Sequence, residues 1–262
     1  MKTLTLLDRF YTYGNNLDIE YLSKVLIQLL KEQTKGLDVH FTFVGLKTPE
    51  NRPILTISGK EENFVYNFLI NEYGTIYKFD NIKENQIIRG RLRDYKQVNF
   101  GIFIDCGIEP ENKDALLPLH KIRSQLVNGL KIPKNLISKA FGFFKEFPVY
   151  IKITKIDKEN KKIECEFAQK TLDLFNNWLK NGLDILLSAG VVRKRIKKAM
   201  KVTGHYEDYV SIDRIGFLET ACTLRNGTNA PGILADIGPF VKNAKFSMFR
   251  PKNIEKLIKK YS

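Results

Sequence analysis

Apolar positions along this chain keep switching between a spacing of two and a spacing of three to four. Lys2 to Arg9 reads as a short strand, and Leu17 to Lys35 carries helical spacing through Ile19, Leu22, Leu26, Leu29 and Leu30. Val39, Phe41 and Phe43 alternate as in a half-buried strand, and Pro53 to Ser58 forms another that Gly59 ends. A second helix places Phe64, Val65, Phe68 and Leu69 on one side, and Ile76 to Phe79 supplies a last strand. This order predicts a ferredoxin-like α+β layer over residues 1–84. The polar stretch from Asn81 to Asn85 marks its boundary.

The next third is strand-rich. Ile87 to Asp94 alternates so that Arg89, Arg91 and Arg93 project from one face, with Lys96 just beyond. Guanidinium groups about 7 Å apart along a strand are spaced to follow a phosphate backbone. Phe100-Gly101-Ile102-Phe103 opens a second strand, and Ala115 to Ile122, with His120, follows a polar loop. Arg123 to Glu146 is an apolar insertion that predicts one or two helices packed on the strands or over their exposed face. Val149 to Lys158 and Ile163 to Phe167 complete the set. Residues in this third are expected to form one domain, 85–168, with the insertion at 123–146.

The last third, 169–262, opens with an expected helix from Leu172 to Leu187, on whose apolar stripe Trp178 is expected in the core. A glycine turn leads to a second helix, Val191 to Lys201, which exposes Arg193, Lys194, Arg195, Lys197, Lys198 and Lys201. Strands are expected from Asp208 to Phe249, including Gly232 to Ile237, with an Asn226-Gly227 hairpin turn. Asn253 to Tyr261 forms a terminal helix. The expected fold is therefore a multidomain α+β protein, ending in a helix pair plus a small antiparallel sheet.

Charge sharpens this picture. Of the net +14, residues 1–84 contribute −1, residues 85–168 contribute +6 and residues 169–262 contribute +9. A polyanionic partner is thus expected at the latter two thirds, against the plainer alternative of lysines scattered over solvated faces. An apolar fraction of 43% is that of a globular chain, and no apolar run reaches the ~18–20 residues of a membrane span. Cys106, Cys165 and Cys222 are odd in number and widely separated, which fits a reducing cytoplasmic setting and no metal-spaced set.

Gly90 in a first strand, Phe100 to Phe103 in a second, Ala115 to Ile122, and Val149 to Phe167 resemble, in order and spacing, the ribosomal S-one type RNA-binding domain. The resemblance implies a five-stranded OB barrel binding single-stranded RNA. It gives Phe100 and Phe103 base-stacking roles beside a basic groove formed by Arg89, Arg91, Arg93 and Lys96. Pro118 departs from the pattern, with His120 two positions later. Three-residue spacing normally turns two strand residues to opposite faces, so one phenylalanine is expected in the core unless a bulge at Gly101 intervenes. Asp213 to Glu219 and Gly227 to Gly232 further resemble an uncharacterised archaeal family, a domain of unknown function, over nearly the whole chain.

Neither a phosphate-binding loop nor a dinucleotide fingerprint is present. The helix, glycine turn and basic helix lack any further signature of sequence reading, so duplex DNA is not the expected partner. The expectation is a non-enzymatic RNA-binding protein without cofactor or metal, acting on ribosomal, transfer or messenger RNA in translation or RNA metabolism. One alternative is an assembly factor within a ribonucleoprotein complex. A lower alternative is a metal-dependent RNA-processing enzyme using the His205-Tyr206-Glu207-Asp208 stretch with Asp213 and Asp236.

Overall fold

The computed structural model describes residues 1–93, 98–109 and 113–262. The first unit consists of β1 (Lys2–Thr5), α1 (Ile19–Gln33), β2 (His40–Lys47), β3 (Arg52–Ser58) and α2 (Glu62–Tyr73). Its strands form an antiparallel sheet in the order β1-β3-β2. Leu22, Leu26, Leu29 and Leu30 of α1 and Val65 and Leu69 of α2 bury against Leu4, Leu55 and Ile57 of the sheet. This is the ferredoxin-like layout with its fourth strand diverted. The expected Ile76 to Phe79 strand contracts to β4 (Tyr77–Lys78), which pairs in parallel with Ile108 and Glu109 of the next unit. The Leu6–Thr75 bridge and bonds from the Leu7 amide to the Gly74 carbonyl and from the Thr75 hydroxyl to the Thr5 carbonyl tie that end of the chain to the first sheet.

Five strands then close a barrel: β5 (Ile87–Leu92), β6 (Gly101–Glu109), β7 (Lys113–Pro118), β8 (Pro148–Asp157) and β9 (Lys162–Phe167). β5 pairs antiparallel with β6 and β8, β6 with β7, and β8 with β9, and the parallel β7–β9 pair completes the ring. That connectivity is the OB arrangement. The glycines make the tight crossings possible. A Cβ at Gly90 would run into Ile104 on β6, and one at Gly101 into the Leu117 carbonyl on β7. Between β7 and β8 the insertion forms α3 (Leu119–Leu126) and α4 (Lys134–Ala140). Its apolar residues, among them Leu126, Ile137, Phe141, Phe143 and Phe144, join the barrel core and leave Phe100 exposed.

The third unit corrects three expectations. The Leu172 to Leu187 helix is two elements, α5 (Gln169–Asn181) and β10 (Ile185–Ala189). Gly182 stops the helix in the left-handed region, where glycine is unstrained. β10 is buried at all five positions, so it shows no alternation. The expected helix, glycine turn and basic helix is thus helix, central strand and helix, the last being α6 (Arg193–Val202). β11 (Tyr209–Arg214) and β12 (Thr220–Leu224) follow, then α7 (Ala230–Ile237), where a strand was expected. Pro231 in its first turn favours helix initiation, so Asn226-Gly227 leads into a helix and closes no hairpin. β13 (Lys245–Phe249) and α8 (Pro251–Tyr261) end the chain, and the sheet order is β11-β12-β10-β13.

The sheet is buried on both faces. Leu186, Ile212, Cys222 and Leu224 pack with α6 and α7. Ile185, Leu187, Ala221 and Phe249 continue the barrel core through Phe141, Phe175 and Trp178, as expected for the tryptophan. Val192, Phe217 and Leu218 meet the core of the first unit. Among the described residues, no helix is long and apolar enough to cross a membrane.

Candidate nucleic-acid interface

Arg89, Arg91 and Arg93 do share one face of the β5 strand region, but that face is covered. Arg91 is 1% exposed. Its Nη1 lies 2.5 Å from Asp8, its Nε 3.0 Å from Glu146, and its Nη2 is bonded to Glu219. Arg89 donates to the Ile215 carbonyl at 2.8 Å and to the Tyr150 hydroxyl at 3.2 Å. Arg93, partly exposed, pairs with Asp114 at 3.1 Å. The expected phosphate track is therefore corrected for Arg89 and Arg91. Their charges are consumed inside the molecule because Asp8 of the first unit, Glu219 of the third and Glu146 of the barrel's own insertion fold over them. Lys96 lies outside the described residues.

This junction holds further pairs. Asp105 on β6 binds Arg52 at 2.8 Å and also Arg9, and Glu50 accepts from both arginines. Burial would raise the Asp105 carboxyl, but Arg52, Arg9 and Arg93 outweigh it and hold the group down at about 2. Glu219 behaves oppositely. Complete burial raises its carboxyl to about 7, with Arg91 pulling it down and Asp8 pushing it up. The Phe217 amide donates to Asp8 at 2.8 Å, so the Asp213 to Glu219 segment plugs into the junction. Sequence reasoning missed these partners because Asp8, Glu146 and Glu219 are far from Arg91 along the chain.

On the open side of the barrel the aromatic expectation fares differently. Phe103 is half-buried on the outer face of β6, opposite Leu116 of β7, while Ile102 and Ile104 point into the core. Phe100, 58% exposed, sits just before β6, and its ring centroid is 6.2 Å from that of Phe103 at an interplanar angle of 87°. The two rings thus meet although their spacing predicted opposite faces, because Phe100 precedes the regular strand. The Leu119 amide donates to the Phe100 carbonyl at 2.8 Å, which brings exposed His120, at the start of α3, to the same rim. Lys134 on α4 donates to the Gly101 carbonyl at 3.2 Å and braces the strand start.

Helix α6 supplies cations. Ile196, Ala199 and Met200 bury, leaving Lys194, Arg195, Lys197, Lys198 and Lys201 exposed. None of these five pairs with a carboxylate within 4 Å among the described residues. Arg193 is half-buried, its guanidinium 3.4 Å from the Ile212 carbonyl. Arg195 lies over the Tyr21 ring, 5.1 Å from its centroid.

Of the residues weighed for metal chemistry, three converge. His205 bonds Asp208 through Nδ1 at 2.6 Å and Asp236 through Nε2 at 2.9 Å. Asp213 stands apart, accepting from Ser211. A carboxylate at each nitrogen favours the charged form of the imidazole. Its pKa is raised chiefly by the Asp208 hydrogen bond, against some burial, with Asp236 adding to the rise.

Fold and surface together define an α+β protein in which an OB-type barrel is welded between two further units. More narrowly, residues 82–179 match the family model of the DUF2110 central domain and residues 183–249 that of the DUF2110 C-terminal domain. The first match spans the barrel and most of α5, and the second covers β10 to β13. No curated protein matches the chain. Among solved structures, an uncharacterized protein from Methanocaldococcus jannaschii is 10% identical, over 34% of this chain and 96% of that one, with a TM-score of 0.24. The a/eIF2alpha–aDim2p–rRNA complex from Pyrococcus horikoshii OT3 is 12% identical over 47% of this chain and 64% of that one, at a TM-score of 0.26. The intact alpha subunit of aIF2 from Pyrococcus abyssi is 10% identical over 64% and 97%, again at 0.26. At this level of superposition, function rests on the chain's own residues.

Proposed function

We propose that this chain is a non-enzymatic RNA-binding protein, acting in translation or RNA metabolism, whose barrel holds single-stranded RNA on the outer face of β6 and β7. The observation that carries this reading is the Phe100–Phe103 pair. Two phenyl rings in edge contact stand at the surface of the strands on which OB barrels bind oligonucleotides. Rings there accept bases by stacking, which tolerates any sequence because every base has a π-face. His120 at the rim adds a further stacking or hydrogen-bonding group. Helix α6 contributes cations that, among the described residues, pair with no carboxylate, and that suit phosphates. Arg89 and Arg91 take no part, since both are buried and their guanidinium groups are turned to partners within the protein.

Binding of a labelled single-stranded RNA, followed by fluorescence anisotropy over a range of salt, tests the reading. Affinity should fall with salt at a logarithmic slope of about −0.7 per phosphate neutralised. Replacing Phe100 and Phe103 by Ala should weaken binding by about 1–3 kcal/mol per stacked base. The melting temperature should change little for Phe100→Ala, whose ring is exposed. Absence of binding, or an affinity indifferent to both substitutions, contradicts the proposal.

A further inference from the structure

Away from the barrel, a cleft of about 270 Å³ separates the first unit from the third. Tyr11 and Tyr21 form one wall, and Arg195 with the 239–244 segment forms the other. The lip carries Phe240, 58% exposed, and the cleft continues past it into a hollow bounded by Lys198 and Val202. Both walls are held in place. The Tyr11 hydroxyl is tied to Glu219, and the Asn243 carbonyl accepts from the Tyr13 amide at 3.1 Å.

Three properties limit what fits. Cations prevail: Arg195, Lys198 and Lys242 face a single acid, Asp18, whose carboxylate already caps α1 by accepting from the Tyr21 amide at 2.9 Å. Aromatic and guanidinium planes are present together, Arg195 stacking on Tyr21 beside the unshielded Phe240 ring. The exposed amides of Asn16 and Asn243 each offer both donors and an acceptor, as the edge of a planar heterocycle requires. Planar surfaces, amide edges and flanking cations are the combination that recognises an unstacked base with its phosphates.

We infer that this cleft is a second RNA contact, taking one unstacked nucleotide of a single strand whose phosphates run along α6. The inference rests on the RNA-binding reading and extends it to a site that the barrel does not include. An acidic protein segment would use the cations but leave the rings and amides idle.

Anisotropy with the full chain and a labelled oligouridylate of about twelve nucleotides provides the test, with Phe240→Ala, the pair Lys198→Ala and Lys242→Ala, and polyglutamate as competitor. All three side chains are exposed, so the variants keep the fold. Phe240→Ala should weaken binding about 5- to 150-fold, the loss of one stacked base. The lysine pair should weaken it and flatten the salt dependence, and polyglutamate should compete poorly. If wild-type binds the RNA and all variants bind equally well, the cleft inference fails while the barrel reading stands. Polyglutamate displacing the RNA readily, with Phe240→Ala silent, makes the cleft an acidic-peptide surface and also overturns the inference. If wild-type binds no RNA, both readings fall.

Discussion

Arg91 keeps its charge although buried because Asp8, Glu146 and Glu219 meet it from three directions. Burial disfavours its charged form, but the carboxylates more than compensate and raise its pKa well above the usual value. Removing the guanidinium would leave buried carboxylates without a counter-charge. Arg91→Ala is therefore expected to destabilise the fold by about 3–5 kcal/mol, seen as a fall in denaturation midpoint. At temperatures where the variant stays folded, the salt slope of RNA binding should be unchanged. A reduced slope in a fully stable variant would return Arg91 to the RNA interface. Glu219 sets a pH dependence at the same junction. Its native carboxyl titrates near 7 against 4.5 for an ordinary glutamate, so the native state binds its proton more tightly. That group's contribution to stability is greatest below 4.5 and declines as pH rises to about 7. Glu219→Gln should remove this decline from a melting profile across that range, and parallel wild-type and variant profiles would contradict the assignment. Asp105, held near 2, acts in the opposite sense, adding stability above 3.8 that is lost as pH falls through about 2.

At the scale of elements, α6 shows what a sequence pattern conveys well. Its apolar stripe through Ile196 and Met200 is explicit, so its basic face could be assigned before any tertiary contact was known. Substituting Ala for Lys194, Lys197, Lys198 and Lys201 together should flatten the salt slope of RNA binding with little change in melting temperature. Unchanged slope would make α6 an ordinary solvated face. The barrel strands were equally legible, since alternation marks them and Gly90 and Gly101 stand where strands cross closely. β10 was not, because a strand buried on both faces carries no alternation and reads as a continuation of α5's leucines. Gly182 was the available signal, a left-handed stop just ahead of it. The arginines of β5 were read on the correct common face, yet which face another unit covers depends on Asp8 and Glu219, remote in sequence.

For the whole molecule, the consequence is a division of basic residues by use. Those of β5, with Arg9 and Arg52, fasten three units into one body through buried pairs. Those of α6 remain available, and the open part of the barrel keeps its aromatic pair. The net charge of +14 therefore overstates what the arginine-rich strand offers a polyanion and understates the role of the third unit. Ultraviolet crosslinking of the full chain to single-stranded RNA, with the attached peptides identified by mass spectrometry, addresses this division most directly. The account predicts adducts on the peptide containing Phe100 and Phe103, and none on buried Arg91. Adducts absent altogether, or confined to surfaces away from that aromatic pair, would contradict it.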